Sequence, residues 1–358
     1  AIYSLLDAGS NKLTTTNTGT INVGQEGSAG IYAKNNTGTN TNSVVENIAN
    51  INVTKQGSAA ILGDKSDITN SKTTGVITLS AFKSAGIIGN KDSIVSNAAK
   101  IETTVVSPTK AEEGLVGISL NASTATNSGT ITLGTDFSTG IYGEASSTLI
   151  NAGSITGDKQ KSVGMAAKAS TATNNSGATI TLQGIKSTGI FGKAGSTVSN
   201  AGTIETVAPT TQPTSSTEGL VGIALNASTG TNKTSGEIKL GTAYSTGMFG
   251  ENNSILTNAG NITGTADNAV GMAAKGSNAT NNATITLNGA NSKGMFGEAN
   301  GTTKSNVVNN GTISGVNGST VGMAVDGSNA TNNAGKSIVL EGKGSTGIFG
   351  KNGSTVSN

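Results

Sequence analysis

The chain has no cysteine, histidine or tryptophan among its 358 residues, and no arginine, so that all 22 basic residues are lysines. Without cysteine there is no disulfide framework and no thiolate metal site. Without histidine the usual general base and the commonest metal ligand are gone. A net charge of +2 with no basic run offers nothing to neutralise a phosphate backbone, so nucleic acid is not expected as a partner. Charged residues are only 12% of the chain, aromatic residues 3%, and there are three prolines. Disordered chains tend to be rich in charge and proline; here both are scarce, and isoleucine and valine recur at regular intervals. No apolar run is long enough to span a bilayer as a helix.

What is present is a repeat. A pattern of small residue, any residue, isoleucine recurs at Ile21, Ile51, Ile77, Ile101, Ile131, Ile155, Ile180, Ile204, Ile238, Ile262, Ile285, Ile313 and Ile338, most often at a spacing of roughly 24 residues. A second apolar column follows: Ile31, Ile61, Ile87, Ile118, Ile141, Met165, Ile190, Ile223, Met248, Met272, Met295, Met323 and Ile348. Short alternating segments between Gly, Asn and Ser turns read as strands, since helical spacing never persists for two turns. A polar column precedes the first isoleucine by four positions at Asn17, Asn47, Asn97, Asn127, Asn151, Asn200, Asn258, Asn281 and Asn309. Asparagine tolerates the left-handed turn conformation, and stacked amides bond along a column, which predicts an asparagine ladder at a corner.

Successive rungs alternate. Odd rungs carry Leu133, Leu182, Leu240 or Leu287, and even rungs place Gly157 or Gly264 against them. Val163 and Val270 likewise face Thr188 and Thr246, so that bulky sits over small. The expectation is an all-β fold: a right-handed parallel β-helix (solenoid) of about thirteen rungs of roughly 24 residues, alternating in two-rung pairs. Residues 1–358 read as one β-helix fragment cut mid-rung at both ends, with loop insertions near 35–42, 103–113, 206–218 and 301–306.

The phrases STGIFGKAGSTVSNAGTI and VGMAAK followed by ATNN resemble the passenger domains of large fusobacterial autotransporter adhesins, and the likeness runs along essentially the whole chain. The resemblance implies type V secretion, display at the bacterial outer membrane, and a long β-helical passenger mediating attachment to host cells or other bacteria through glycan or protein receptors. The family's signal peptide and C-terminal barrel are not in this sequence, so contact with the membrane is expected only through such a barrel.

Candidate binding residues fall in two groups. Tyr32, Tyr142, Phe191, Phe249, Phe296 and Phe349 follow the second apolar column on odd rungs. Strand parity points them outward, where rings about two rungs, roughly 10 Å, apart can stack on sugars or anchor a receptor. The alternative is that the flanking glycines turn the chain and the rings pack inward over the alanines of even rungs, Ala166 and Ala273. The second group lies in the proline-bearing insertions, Pro108, Lys110 and Glu112 in one, Pro209, Gln212 and Pro213 in the other. These leave one corner four rungs apart, and insertions on a rigid scaffold are where binding tends to collect, although coils also accept plain insertions readily.

Glu144, Glu251, Glu298 and Asp326 stand level with Lys168, Lys193, Lys275 and Lys351, which reads as a mixed-sign ladder on a solvated edge rather than an acid and base pair. Gly342–Gly347 satisfies G-x-G-x-x-G but is followed by no helix, and the N-x-S/T triplets at Asn121 and Asn226 are expected from composition. The reading is therefore a non-catalytic, cofactor-free stalk with lateral loops. The rival classes are a polysaccharide-degrading β-helix enzyme and a passive stalk whose binding lies elsewhere.

Overall fold

The computed structural model describes residues 1–6, 13–35, 42–71, 75–104, 107–209 and 211–358. Most of the insertion near 35–42 therefore lies outside the described residues, as do 105–106 and 210 of the proline-bearing insertions. Two compact units result, Ala1–Ala172 and Thr173–Asn358. Each is a right-handed parallel β-helix whose every turn contributes one strand to each of three sheets, and the turns number about 14 in all. Among the described residues the only helical element is a 3₁₀ turn, Ala111–Glu113.

Sheet 1 takes the strands carrying the second apolar column, such as Thr139–Glu144, sheet 2 those ending on asparagine, such as Thr148–Asn151, and sheet 3 those carrying the first isoleucine, such as Ser154–Gly157. All pairings between strands of neighbouring turns are parallel. In the first unit Ile51, Ile77, Ile101, Ile131 and Ile155 stand in register, each fully buried. In the second, Ile204, Ile238, Ile262, Ile285 and Ile313 do the same. Each such isoleucine contributes roughly 1.5–3 kcal/mol of burial, and stacking identical β-branched side chains fixes the register, because a one-residue slip would turn the whole column to solvent. The count exceeds thirteen because Ile2 pairs with Ile31 and begins one more turn.

The two-rung alternation holds. Leu133 pairs with Gly157, and Gly264 lies between Leu240 and Leu287. A methyl on Gly264 would approach Leu287 Cδ2 to 2.7 Å, so the leucine would have to shift to admit it. Thr139 pairs with Val163, and Thr246 with Val270.

Corners close by ladders. At the sheet 2 to sheet 3 corner, Asn17 donates through Nδ2 to Asn47 Oδ1 at 2.7 Å, Asn47 to Asn70, Asn70 to Asn97, Asn97 to Asn127, and Asn127 to Asn151 at 2.9 Å. The second unit repeats this from Asn174 through Asn200, Asn232, Asn258, Asn281, Asn309 and Asn332 to Asn358, every bond 2.8 Å. The second amide hydrogen goes to a local carbonyl, as from Asn281 to Ala283 O at 3.0 Å, so these buried side chains are satisfied.

Asn70, Asn174, Asn232 and Asn332 escape the rule of four positions before isoleucine, because extra residues stand between them and Ile77, Ile180, Ile238 and Ile338. A second ladder, of serines, went unread. At the sheet 1 to sheet 2 corner the backbone N–H of Ser254 donates to Ser277 Oγ at 3.0 Å, and Ser277 to Ser305 at 3.1 Å. The signal was present in the sequence as a serine that opens, or stands just before, every sheet 2 strand from Ser43–Asn47 onward.

Candidate functional site

Within a sheet 1 strand the glycine and the following apolar residue are both buried, as Gly140 and Ile141 are in Thr139–Glu144. Two consecutive inward residues shift the parity, so Thr139 and Tyr142 both face outward. The glycine is demanded because a neighbouring backbone comes close: a methyl on Gly247 would stand 2.5 Å from Gly271 O.

The aromatic column thus lies on the outer face of sheet 1. In the second unit the register runs Phe191, Ala224, Phe249, Ala273, Phe296, Ala324, Phe349. The phenylalanines are partly exposed, Phe349 at 48%, whereas the outward alanines are covered, Ala273 at 8% and Ala324 at 5%. The column faces outward, as strand parity gives, and the rings do not turn inward over the alanines, although the alanines between them lose almost all their contact with solvent. A cleft of about 400 Å³ opens over Ala324, between Phe296 and Phe349, with Val321 on its floor and Lys293 at its margin. In the first unit the same column reads Tyr3, Tyr32, Leu62, Ile88, Ser119, Tyr142, Ala166. Tyr3 and Tyr32 pack with ring centroids 5.3 Å apart.

Two residues on from each ring runs the mixed-sign ladder. Glu144 accepts from Tyr142 OH at 2.8 Å, from Lys168 Nζ at 3.2 Å and from Asn121 Nδ2 at 3.3 Å. Burial, then the hydrogen bond to Glu144, pushes the Tyr142 phenol up to about 12, and the bonds from Tyr142 and Lys168 hold Glu144 below the usual carboxylate range. Tyr142 is thus kept protonated and Glu144 ionised. In the second unit Asp326 pairs with Lys351 at 2.9 Å, and Asn226 donates to Glu251 at 2.6 Å.

The proline-bearing insertions, both on the sheet 3 to sheet 1 corner, prove to be copies of one motif, P-T-x-x-x-E-G-L-V. Thr109 N and Oγ1 donate to Glu113 Oε2 at 2.8 and 3.1 Å. Thr214 N and Oγ1 donate to Glu218 Oε2, each at 2.9 Å. Backbone bonds from the threonines hold both glutamates below the usual carboxylate range. Pro108 and Pro213 are buried, and Leu115 and Leu220, fully buried, occupy the corner where neighbouring turns carry serine. Lys110 and Glu112 are exposed at one tip; at the other Gln212 is exposed and bonds Pro209 O at 2.8 Å, with Pro209 half-buried. The prolines therefore brace the insertions, and the exposed chemistry lies at the tips. The spacing from Thr to Glu, repeated twice, was the signal in the sequence that would have found the closure.

The insertion at 301–306 leaves the sheet 1 to sheet 2 corner and folds back, with Asn300 and Thr303 exchanging backbone bonds of 2.9 and 3.1 Å. Gly342–Gly347 leads into the strand Thr346–Lys351, with no helix to address a phosphate. Among the described residues no group of three or more acidic side chains stands together as a metal site.

Residues 157–271 match a family model described as the BigA third pectate lyase-like domain, less than half of the chain. No curated protein matches. Among solved structures, a tailspike protein mutant of E. coli bacteriophage HK620 in complex with a hexasaccharide is 12% identical, with a TM-score of 0.35, covering 92% of this chain and 71% of that one. The A-module of Azotobacter vinelandii mannuronan C-5 epimerase AlgE6 is 11% identical, with a TM-score of 0.32, covering 98% and 92%. At these scores neither bears on the chemistry of this chain. The family match does correct one expectation. A model described as pectate lyase-like ties these repeats to domains named for an enzyme, so the reading of the chain as non-catalytic does not stand. Lack of histidine and cysteine removes familiar catalytic groups, but carboxylates, lysines and tyrosines suffice for acid and base chemistry on a β-helix face. The conclusion at this level is a parallel β-helix with an aromatic-lined outer face, of which residues 157–271 are similar to a pectate lyase-like domain.

Proposed function

We propose that the chain is the surface-displayed β-helix of an attachment protein, an adhesin passenger that meets host cells or other bacteria through the outer face of sheet 1. The carrying observation is the column Phe191, Phe249, Phe296, Phe349, held in line by the sheet register with a covered alanine between successive rings. Aromatic side chains held by a rigid scaffold lose little entropy on binding and supply large apolar contact. The match to a domain of BigA, a bacterial surface protein, supports placement at the cell surface. The test is binding of the purified chain to host epithelial cells and to bacteria, read by flow cytometry, against the double variant Phe249→Ala, Phe296→Ala with an unchanged β-sheet circular dichroism spectrum. Loss of binding is expected; equal binding by the variant, or no binding by the parent chain, overturns the reading.

A second reading is favoured by the pectate lyase-like match: the same face acts on the polysaccharide it holds. Release of new reducing ends or unsaturated ends from an acidic or neutral polysaccharide, lost on Glu251→Gln, would mark it. Glu251 is the residue chosen because it lies within the matched residues, two positions on from Phe249, and accepts from Asn226 at 2.6 Å.

A further inference from the structure

We infer that sheet 1 of the second unit binds an uncharged linear polysaccharide lengthwise, one ring-stacking station for every two rungs. The inference rests on the reading of this face as the contact surface and names what it contacts.

The stations are periodic. Strands of neighbouring turns lie about 4.8 Å apart, so rings on alternate rungs recur about every 10 Å, and the four phenylalanines span about 30 Å. A linear polymer of pyranose rings repeats at this interval, since an extended disaccharide advances by a similar length. Phe191, Phe249 and Phe296 are each followed at the next rung by a covered alanine with a valine beside it, as Phe249 is by Ala273 and Val270; beside the rings stand Thr188, Thr246 and Thr346, and at Phe296 Lys293, 6.0 Å from the ring centroid. Phe296 and Phe349 bound the cleft over Ala324, wide enough at about 400 Å³ for a small ring.

Charge decides between polymers. The ladder beside the rings runs Lys193, Asn226, Glu251, Lys275, Glu298, Asp326, Lys351, three lysines and three carboxylates in mixed order, so the charges sum to zero along the axis. A polyanion would meet repulsion at Glu251, Glu298 and Asp326, and a polycation at Lys193, Lys275 and Lys351, and neither gains a net field from the ladder. Hydroxyl groups instead find carboxylate acceptors and lysine donors in turn. Off the ladder, the one charged residue beside the rings among the described residues is Lys293, near Phe296, short of the basic groove a polyanion needs.

The experiment is calorimetric titration of the full chain with neutral β-linked hexose oligomers of increasing length, and with oligogalacturonates of matched length. The expected result is binding of the neutral series with affinity rising about tenfold for each added disaccharide, the effect of one further stacked ring, and weaker binding of the oligogalacturonates. Phe249→Ala should lower affinity for the long oligomers about tenfold, Phe249→Tyr should retain it, and Ala273→Lys, which leaves every ring in place but fills one notch with a charged side chain, should match Phe249→Ala. Length-independent affinity, preference for the acidic series, or indifference to both Phe249→Ala and Ala273→Lys overturns the inference. Cells that bind the chain after their surface glycans have been removed, while no oligomer binds, sink the glycan assignment and leave the attachment reading standing. Failure to bind both cells and oligomers sinks both.

Discussion

Thr214 grips Glu218 twice, through its backbone nitrogen and through Oγ1, both at 2.9 Å from the same carboxylate oxygen. Thr109 and Glu113 repeat the arrangement in the first unit with a different tip between them. Three residues of each tip differ completely, Lys110, Ala111 and Glu112 against Ser215, Ser216 and Thr217, while Pro, Thr, Glu, Gly and Leu are kept. The closure is therefore a frame that tolerates exchange of what it displays.

Acid should open that frame. Hydrogen bonds from Thr214 depress the Glu218 carboxyl when the insertion is closed. A group whose folded value is depressed contributes its stability above the ordinary carboxylate value and loses it as pH falls through the folded one. Protease cleavage within 211–217 should accelerate below the usual glutamate range near pH 4, and Glu218→Gln should cleave rapidly at every pH. Cleavage of the parent chain that is independent of pH between neutrality and acid would show the carboxylate does not hold the turn.

Asn258 sits in the ladder between Asn232, whose amide it accepts, and Asn281, to which it donates, both at 2.8 Å. Asn258→Ala leaves a buried donor and a buried acceptor without partners and should cost about 2–4 kcal/mol. Asn258→Asp keeps the acceptor but turns a carboxylate oxygen toward the Asn281 carbonyl oxygen, so its loss should be larger at neutral pH than in mild acid. Thermal melting at two pH values measures both. A surface substitution of the same kind, Asn261→Ala at an exposed position of the strand Asn261–Gly264, should change little.

Tyr142 should remain protonated to about pH 12, beyond ordinary tyrosines, because burial and Glu144 favour the neutral phenol. Its raised folded value means that stability from this contact is complete below about pH 10 and is lost between there and about pH 12. Ultraviolet titration of the four tyrosines, compared with Tyr142→Phe, isolates the late step. In the variant Glu144 loses a donor and its carboxyl should move up toward the usual range. A parent chain whose tyrosines all ionise together near pH 10 would remove Tyr142 from this network.

The repeat, the sheet stack and the two-rung alternation follow from the amino-acid sequence alone. Every turn meets the same environment, and one buried side per strand imposes the same register, so a column of isoleucines in the sequence becomes a column in space. The direction of the aromatic rings followed only in part. Parity gave the outward face, but it holds because Gly140 and Ile141 are both buried, which alternation does not foretell. The ladder asparagines Asn70, Asn174, Asn232 and Asn332 became visible only in three dimensions, because corners absorb extra residues without moving the strand that follows, so distance along the chain and position in the stack part company there. The closure of Thr109 on Glu113, and of Thr214 on Glu218, was likewise decided by tertiary structure. Irregular segments take their shape from the corner they must span and the buried leucine that anchors them, and neither has a period to be read.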